Sequence, residues 1–356
     1  MLKNLSKGFP SLINKRSFST INENPLTRIH HGSRTQTTGL VATVFGATGF
    51  TGRYLVQLLA RTGIQVVVPY RCEDEGFRDL KVLGELGQII PVRFDIRDSE
   101  SIERAISHSN IVINMAGRDY ETRNFSLDDI NVHAASRIAD LSKNVEKYIH
   151  VSTLRASEDS PSHFSRSKAI GEKLTREIIP NCTVVRPSII FGDEDKFINK
   201  WSKVSQNWPF IPRYNQQHKI QPLHCYDLAS GILSILETPG TSGKVYEFAG
   251  DEVFTWDEFL DMIIDGTAQY SKLNIPVSND FMKFISEHLL ERFARNPNFI
   301  KDQIDYHNQD MTTTVGALTL KDLNVTTTPI QEKLIRLSRM YRPGKFFNAI
   351  ANPQNK

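Results

Sequence analysis

The stretch Leu40-Val41-Ala42-Thr43-Val44-Phe45-Gly46-Ala47-Thr48-Gly49-Phe50-Thr51-Gly52 decides how this chain is read. Its first six residues are a short apolar, β-rich run, which predicts a buried strand. Tyr54, Leu55, Leu58 and Leu59 then recur at helical spacing, and Gly63 ends the helix. The three glycines therefore lie directly between a strand and a helix, where their spacing has a chemical meaning. Gly46 permits a tight turn, Gly49 lets the backbone approach a pyrophosphate, and Gly52 lets helix and strand pack closely. The N–H groups of Phe50 and Thr51 then face phosphate oxygens at the positive end of the helix dipole, with Thr48 in the same loop.

Working outward, Gln65-Val66-Val67-Val68 predicts a second strand and Ile89-Ile90-Pro91-Val92-Arg93-Phe94 a third. Residues 99–108 read as a helix. Ile111-Val112-Ile113-Asn114, Lys147-Tyr148-Ile149-His150-Val151 and Cys182-Thr183-Val184-Val185-Arg186 follow as strands four to six. Strands alternating with helices predict an α/β fold, a doubly wound parallel Rossmann sheet. The expected divisions are a nucleotide-binding domain over 39–195, a smaller, mostly helical C-terminal lobe over 196–345, and a tail over 346–356. Val245-Tyr246-Glu247-Phe248 is a candidate return strand to the sheet.

The end of the second strand bears on which nucleotide is held. An NAD-specific domain places an acid there to grip the ribose hydroxyls. Here Val68 is followed by Pro69, Tyr70 and Arg71. A guanidinium in that place pairs with a 2′-phosphate, so NADP(H) is favoured over NAD(H). Glu73 and Asp74 stand close by and leave NAD(H) open.

Charge is placed unevenly. Residues 1–18 hold Lys3, Lys7, Lys15 and Arg16 and no acid, with Leu2, Leu5, Phe9, Leu12 and Ile13 between them. Ser6, Ser11 and Ser17 add hydroxyls, which completes the composition of a mitochondrial transit peptide cut after Phe18. Four of the 43 basic residues lie in that leader, so the rest of the chain holds 39 against 40 acidic residues. The basic balance therefore gives no argument for a nucleic-acid partner. Residues 19–38 are polar and read as a flexible arm, with His30 and His31 solvated and no metal site expected. Cys72, Cys182 and Cys225 have neither zinc-ligand nor redox-motif spacing and read as reduced thiols. No run of eighteen apolar residues occurs, so no spanning helix is expected.

The motifs as a set resemble the extended short-chain dehydrogenase/reductase family, in its atypical branch. The glycine loop, Asp95-Ile96 after the third strand, Asn114-Met115-Ala116-Gly117 after the fourth, Asn131, Ser167-Lys168-Ala169-Ile170-Gly171-Glu172 and Arg186-Pro187-Ser188-Ile189-Ile190-Phe191-Gly192 follow in family order. The resemblance covers roughly residues 39–250. It implies that Asp95 and Ile96 meet adenine, that Ala116, Gly117 and Pro187 lie along the dinucleotide, and that Lys168 holds the nicotinamide ribose. It also implies a catalytic tyrosine four residues before the lysine, where this chain has Phe164. Phenylalanine has no proton to trade in hydride transfer. Thr153 falls near the family's substrate-orienting hydroxyl, but no catalytic residue is expected. His150 reads as a core histidine.

Pro69-Tyr70-Arg71-Cys72, Arg118-Asp119, Phe191-Gly192-Asp193-Glu194-Asp195 and Tyr341-Arg342-Pro343 are similar to a branch of that family built into mitochondrial respiratory complex I. That similarity implies a non-catalytic, NADP(H)-binding accessory subunit needed for assembly or stability. Its partners would be other complex I subunits on the matrix side of the inner membrane, with peripheral contact with that membrane. Two alternatives remain at this point: an active NADP-dependent reductase or epimerase, and an NADP(H) redox sensor. Residues 281–293 form a further expectation. Phe281, Phe284, Ile285, Leu289 and Phe293 fall on one face of a helix, either as core or as a docking face.

Overall fold

Strand pairing follows from short β-rich runs separated by helices, and the computed structural model joins seven of these runs into one parallel sheet. The strands are β1 (Val41–Phe45), β2 (Gln65–Tyr70), β3 (Ile89–Arg93), β4 (Ile111–Asn114), β5 (Lys147–Val151), β6 (Thr183–Pro187) and the return strand Val245–Phe248. Their order is return strand, β6, β5, β4, β1, β2, β3. The order reverses between β1 and β4, the switch point beyond whose carboxyl ends a doubly wound sheet opens its crevice. The structure describes residues 38–71, 74–122, 124–290 and 300–344. The leader, the arm up to residue 37, Glu73, Phe293 and the tail lie outside the described residues.

β2 runs two residues further than Val68, because Pro69 and Tyr70 keep their register against Val92 and Arg93 of β3. The β6 strand begins at Thr183 and ends at Pro187, since its partner Phe248 continues the pairing to that proline. Both faces of the sheet are covered. Leu55, Val56 and Leu59 of helix Phe50–Arg61 pack against β1 and β2 with Ile232, Ile235 and Leu236 of helix Cys225–Glu237. Leu320 and Leu323, far along the chain, close the same core. Each such side chain contributes roughly 1.5–3 kcal/mol by burial.

A second core gathers Phe197, Trp201, Tyr214, Trp256, Phe259 and Ile263. Phe197 and Phe259 stack at 4.4 Å between centroids, and Trp256 meets Phe197 edge-on at 5.7 Å. Helix Trp256–Thr267 starts with a capping box, in which Thr255 and Glu258 satisfy each other's end groups.

The face expected over residues 281–293 is not a core face where it is described. Helix Asn279–Ile285 has seven residues, and the chain then passes into a π turn at Ser286–Leu290. That change of period breaks the 3.6-residue pattern on which the expectation rested. Within that helix Met282 is buried, while Phe281 and Phe284 are 56% and 57% exposed.

Candidate functional site

The glycine loop takes the form its sequence requires. Gly46 has φ +83°, and a Cβ there would lie 2.8 Å from the Met115 carbonyl oxygen. A Cβ at Gly52 would lie 2.4 Å from the Gly46 oxygen, so only glycine lets helix and turn meet. Gly49 stands at the helix N-cap, donates to the Gly46 oxygen at 3.0 Å, and is exposed. No side chain caps this helix and no acid stands in its first turn. The amide donors of Phe50 and Thr51, with Thr48 at the rim, point a positive helix end at the crevice. This arrangement fits a pyrophosphate.

Arg71 is exposed just past β2, with its guanidinium 5.7 Å from the centre of the Phe125 ring. Arg97, past β3, lies over the same ring at 4.1 Å and donates to the Asn124 carbonyl. Asp95 is exposed and accepts from the Arg97 N–H at 2.9 Å, so it shapes the loop that carries Arg97. Ile96 is buried, and its carbonyl accepts from Arg137 at 2.7 Å. Sequence reading missed Arg97 and Phe125. The arginine follows Asp95-Ile96 directly, which was the signal available.

Past β4, Asn114 Oδ1 accepts from the Ala116 N–H at 3.1 Å. Asn131 then fastens the Gly117-Arg118 turn to the helix His163–Ile178. Its Nδ2 donates to the Arg118 carbonyl at 3.2 Å and to Ser167 Oγ at 3.0 Å. A π turn over Asp129–His133 carries Asn131, and a Cβ at Gly171 would lie 2.0 Å from its carbonyl oxygen. Lys168 thereby projects beneath Gly117. It is 6% exposed, and its ammonium donates to the Val151 carbonyl at 3.3 Å. Burial holds its pKa down to about 8. A buried ammonium with one carbonyl is short of acceptors, a condition that two ribose hydroxyls would relieve. Pro187 ends β6 in this crevice, and its carbonyl accepts from Leu154 N–H at 2.8 Å.

The position four before Lys168 is Phe164, whose ring meets Tyr306 edge-on at 5.3 Å. Thr153 is buried, with Oγ1 2.5 Å from the Tyr306 hydroxyl. Ser165 donates to the Arg155 carbonyl and Ser167 to the Phe164 carbonyl, so neither hydroxyl turns toward Lys168. His150 is buried and held neutral, with its pKa pushed down to about 3 by burial and then by the Lys168 charge. Its Nδ1 lies 3.5 Å from Asn114 while Nε2 has no partner, so it is a core histidine only half satisfied. Tyr306 was not foreseen, since nothing in its local sequence marks it and it lies 153 positions from Thr153. Among the described residues no group of three or more His, Cys, Asp or Glu is arranged to hold a metal.

Residues 42–284 match the family described as RmlD substrate binding domain. The chain is 37% identical, over 92% of its own length and 84% of the other, to "NADH dehydrogenase [ubiquinone] 1 alpha subcomplex subunit 9, mitochondrial" of Arabidopsis thaliana. An NADPH-dependent quinone oxidoreductase of Escherichia coli, solved with NADPH, has a similar fold at TM-score 0.65 and 18% identity, covering 84% of this chain and 99% of that one. A dTDP-glucose 4,6-dehydratase of Bacillus anthracis, solved with NAD, aligns at TM-score 0.64 and 18% identity over 85% and 96%.

Proposed function

We propose, from the premise that this chain belongs to the family of NADH dehydrogenase [ubiquinone] 1 alpha subcomplex subunit 9, that it is a nucleotide-holding accessory subunit of mitochondrial complex I with no hydride transfer of its own. The observation that carries this reading is the pairing of an intact nucleotide cradle with Phe164. The uncapped helix end, the three glycines and the buried ammonium of Lys168 supply what a dinucleotide needs. The position that should trade a proton holds a phenyl ring.

NADP(H) is the nucleotide this reading takes. Arg71 and Arg97 converge on one phenyl ring past the ends of β2 and β3, and together they offer a 2′-phosphate two guanidinium groups. Thr48, Gly49, Phe50, Thr51, Asp95, Ile96, Ala116, Gly117, Lys168 and Pro187 complete the binding set. The relative's printed name supports the mitochondrion and complex I as the setting. The matrix face of the inner membrane, reached after loss of the leader, is the location we infer. Among the described residues no helix is long and apolar enough to cross a membrane. Peripheral contact through the exposed Phe281 and Phe284 fits that location.

The test is purification from mitochondrial membranes, with mass spectrometry of co-purifying proteins and of released nucleotide. Retained NADPH and other complex I subunits are expected. Steady NADPH oxidation with a carbonyl substrate, lost on Lys168→Ala, would overturn the non-catalytic reading.

A further inference from the structure

Folds of this kind take their ligands in the crevice at the carboxyl ends of the strands, and here the chain itself lies across it. Helix Lys301–His307 and the residues after it touch the loops beyond three strands. Gln303 donates to Asp119 at 3.0 Å beyond β4, Tyr306 meets Thr153 and Leu154 beyond β5, and Ser188 beyond β6 donates to the Met311 carbonyl at 3.4 Å. The crossing helix is fastened at its start. Asp302 accepts from Ser162 Oγ at 3.0 Å and from the N–H groups of His163 and Phe164 at 2.5 and 2.9 Å.

Hydrogen-bond direction decides what Tyr306 does there. The Leu154 carbonyl can only accept, so the single phenolic proton goes to it, at 3.0 Å. The Tyr306 oxygen is then an acceptor, and Thr153 Oγ1 donates to it across 2.5 Å. The ring lies edge-on against Phe164 and the whole residue is buried. An oxygen that accepts from Thr153, beside the helix of the buried lysine, stands where the oxygen of an incoming carbonyl or alcohol would stand.

We propose that Tyr306 is the resident occupant of this crevice: Thr153, Leu154 and Phe164 form a phenol-binding site satisfied from within, and no outside carbonyl compound enters it. This rests on the reading of the chain as a nucleotide holder and gives that reading a second cause, independent of the missing hydroxyl at position 164. The same geometry argues against Tyr306 as a relocated acid, because its proton is committed to a main-chain carbonyl.

The experiment uses the purified full chain and p-cresol as the probe. Tyr306→Ala should leave the Asp302 and Gln303 contacts of the crossing helix in place and opens a cavity that matches the ring and hydroxyl of the probe. Apolar cavities of this kind take up small aromatic molecules. The variant should bind p-cresol roughly ten-fold or more tighter than the native chain by calorimetry, and adding Thr153→Val should weaken that binding. A folded Tyr306→Ala chain that binds p-cresol no better than the native chain overturns the proposal. Nitration of the native chain with tetranitromethane, mapped by peptide mass, needs no variant at all. Tyr306 should react far more slowly than Tyr270, which is 43% exposed. Equal rates would overturn the proposal as well. NADPH fluorescence is followed in parallel: absence of the nucleotide would strike the nucleotide reading while leaving the cresol comparison intact.

Discussion

Gly117 and Lys168 lie so close that a Cβ on the glycine would sit 2.5 Å from the lysine nitrogen. The main chain beyond β4 thus forms the roof over the ammonium, and Asn131 Oδ1 completes it by accepting from the Arg118 N–H at 3.3 Å. Gly117→Ala should therefore push the far end of Lys168 aside at little cost to folding, because that end is flexible. Nucleotide affinity should fall roughly ten-fold by fluorescence titration, the scale of one lost charge-assisted contact, while the melting temperature changes by no more than a few degrees. Unchanged affinity would show that Lys168 does not reach the ribose.

Arg71→Ala should weaken NADPH roughly ten-fold or more and NADH less, since only the former offers a 2′-phosphate. Arg97→Ala should follow the same order. It should also loosen the loop at Asn124, because it removes the 4.1 Å contact on Phe125 along with the hydrogen bond to the Asn124 carbonyl. Calorimetry with both nucleotides separates the effects. Equal losses for NADPH and NADH would assign both arginines to holding the loop around Phe125.

The pH dependence of the nucleotide-free chain follows from Lys168. Burial holds its pKa at about 8 against an ordinary 10.5. Between these values the unfolded chain binds a proton that the folded chain has released, so stability rises with pH across that window. Below about 8 both states carry the proton and the cost of burying it is present in full. Lys200, pushed to about 8 by its own burial, acts in the same direction. Lys168→Met should flatten a substantial part of the rise in the urea midpoint between about pH 8 and about pH 10. Its contribution is at most on the order of 3 kcal/mol. A slope untouched by the substitution would place the titration elsewhere.

Phe281→Glu together with Phe284→Glu replaces two exposed rings and should leave the melting temperature and bound nucleotide unchanged. If these rings meet a membrane-side surface, the variant should leave the assembled complex in native gels of mitochondria. Full retention in the complex would remove this face from the docking surface.

The sheet was legible because each of its strands is a short β-rich run, and the glycine loop because strand, turn and helix sit within a few residues of one another. Asn131 and Lys168 were legible by resemblance and proved to be linked through Ser167. What stayed hidden depends on distance along the chain. Tyr306 reaches Thr153 across 153 positions, and nothing near Tyr306 in sequence announces it. The face over 281–293 was legible in its exposed Phe281 and Phe284, but its extent along the chain was not. Periodicity assumes an unbroken α-helix, and a π turn starts at Ser286.

Leu320 and Leu323 pack in the same core as Leu55 and Leu59, while Trp256 and Phe259, which lie between them in the sequence, belong to the other core. The chain thus passes between the two cores repeatedly: it comes back to the first at Leu320 and Leu323 before Ile330, Leu334 and Leu337 close the second. On a ribosome, the nucleotide unit would stay unfinished until residues 318–325 emerge, long after its glycine loop has been made. A chain shortened to residue 250 would carry every residue proposed above to hold nucleotide and still expose the apolar surface that Leu320 and Leu323 cover. Biosynthesis and degradation should therefore meet this protein as one cooperative body, with no stage at which a finished Rossmann unit waits for its lobe.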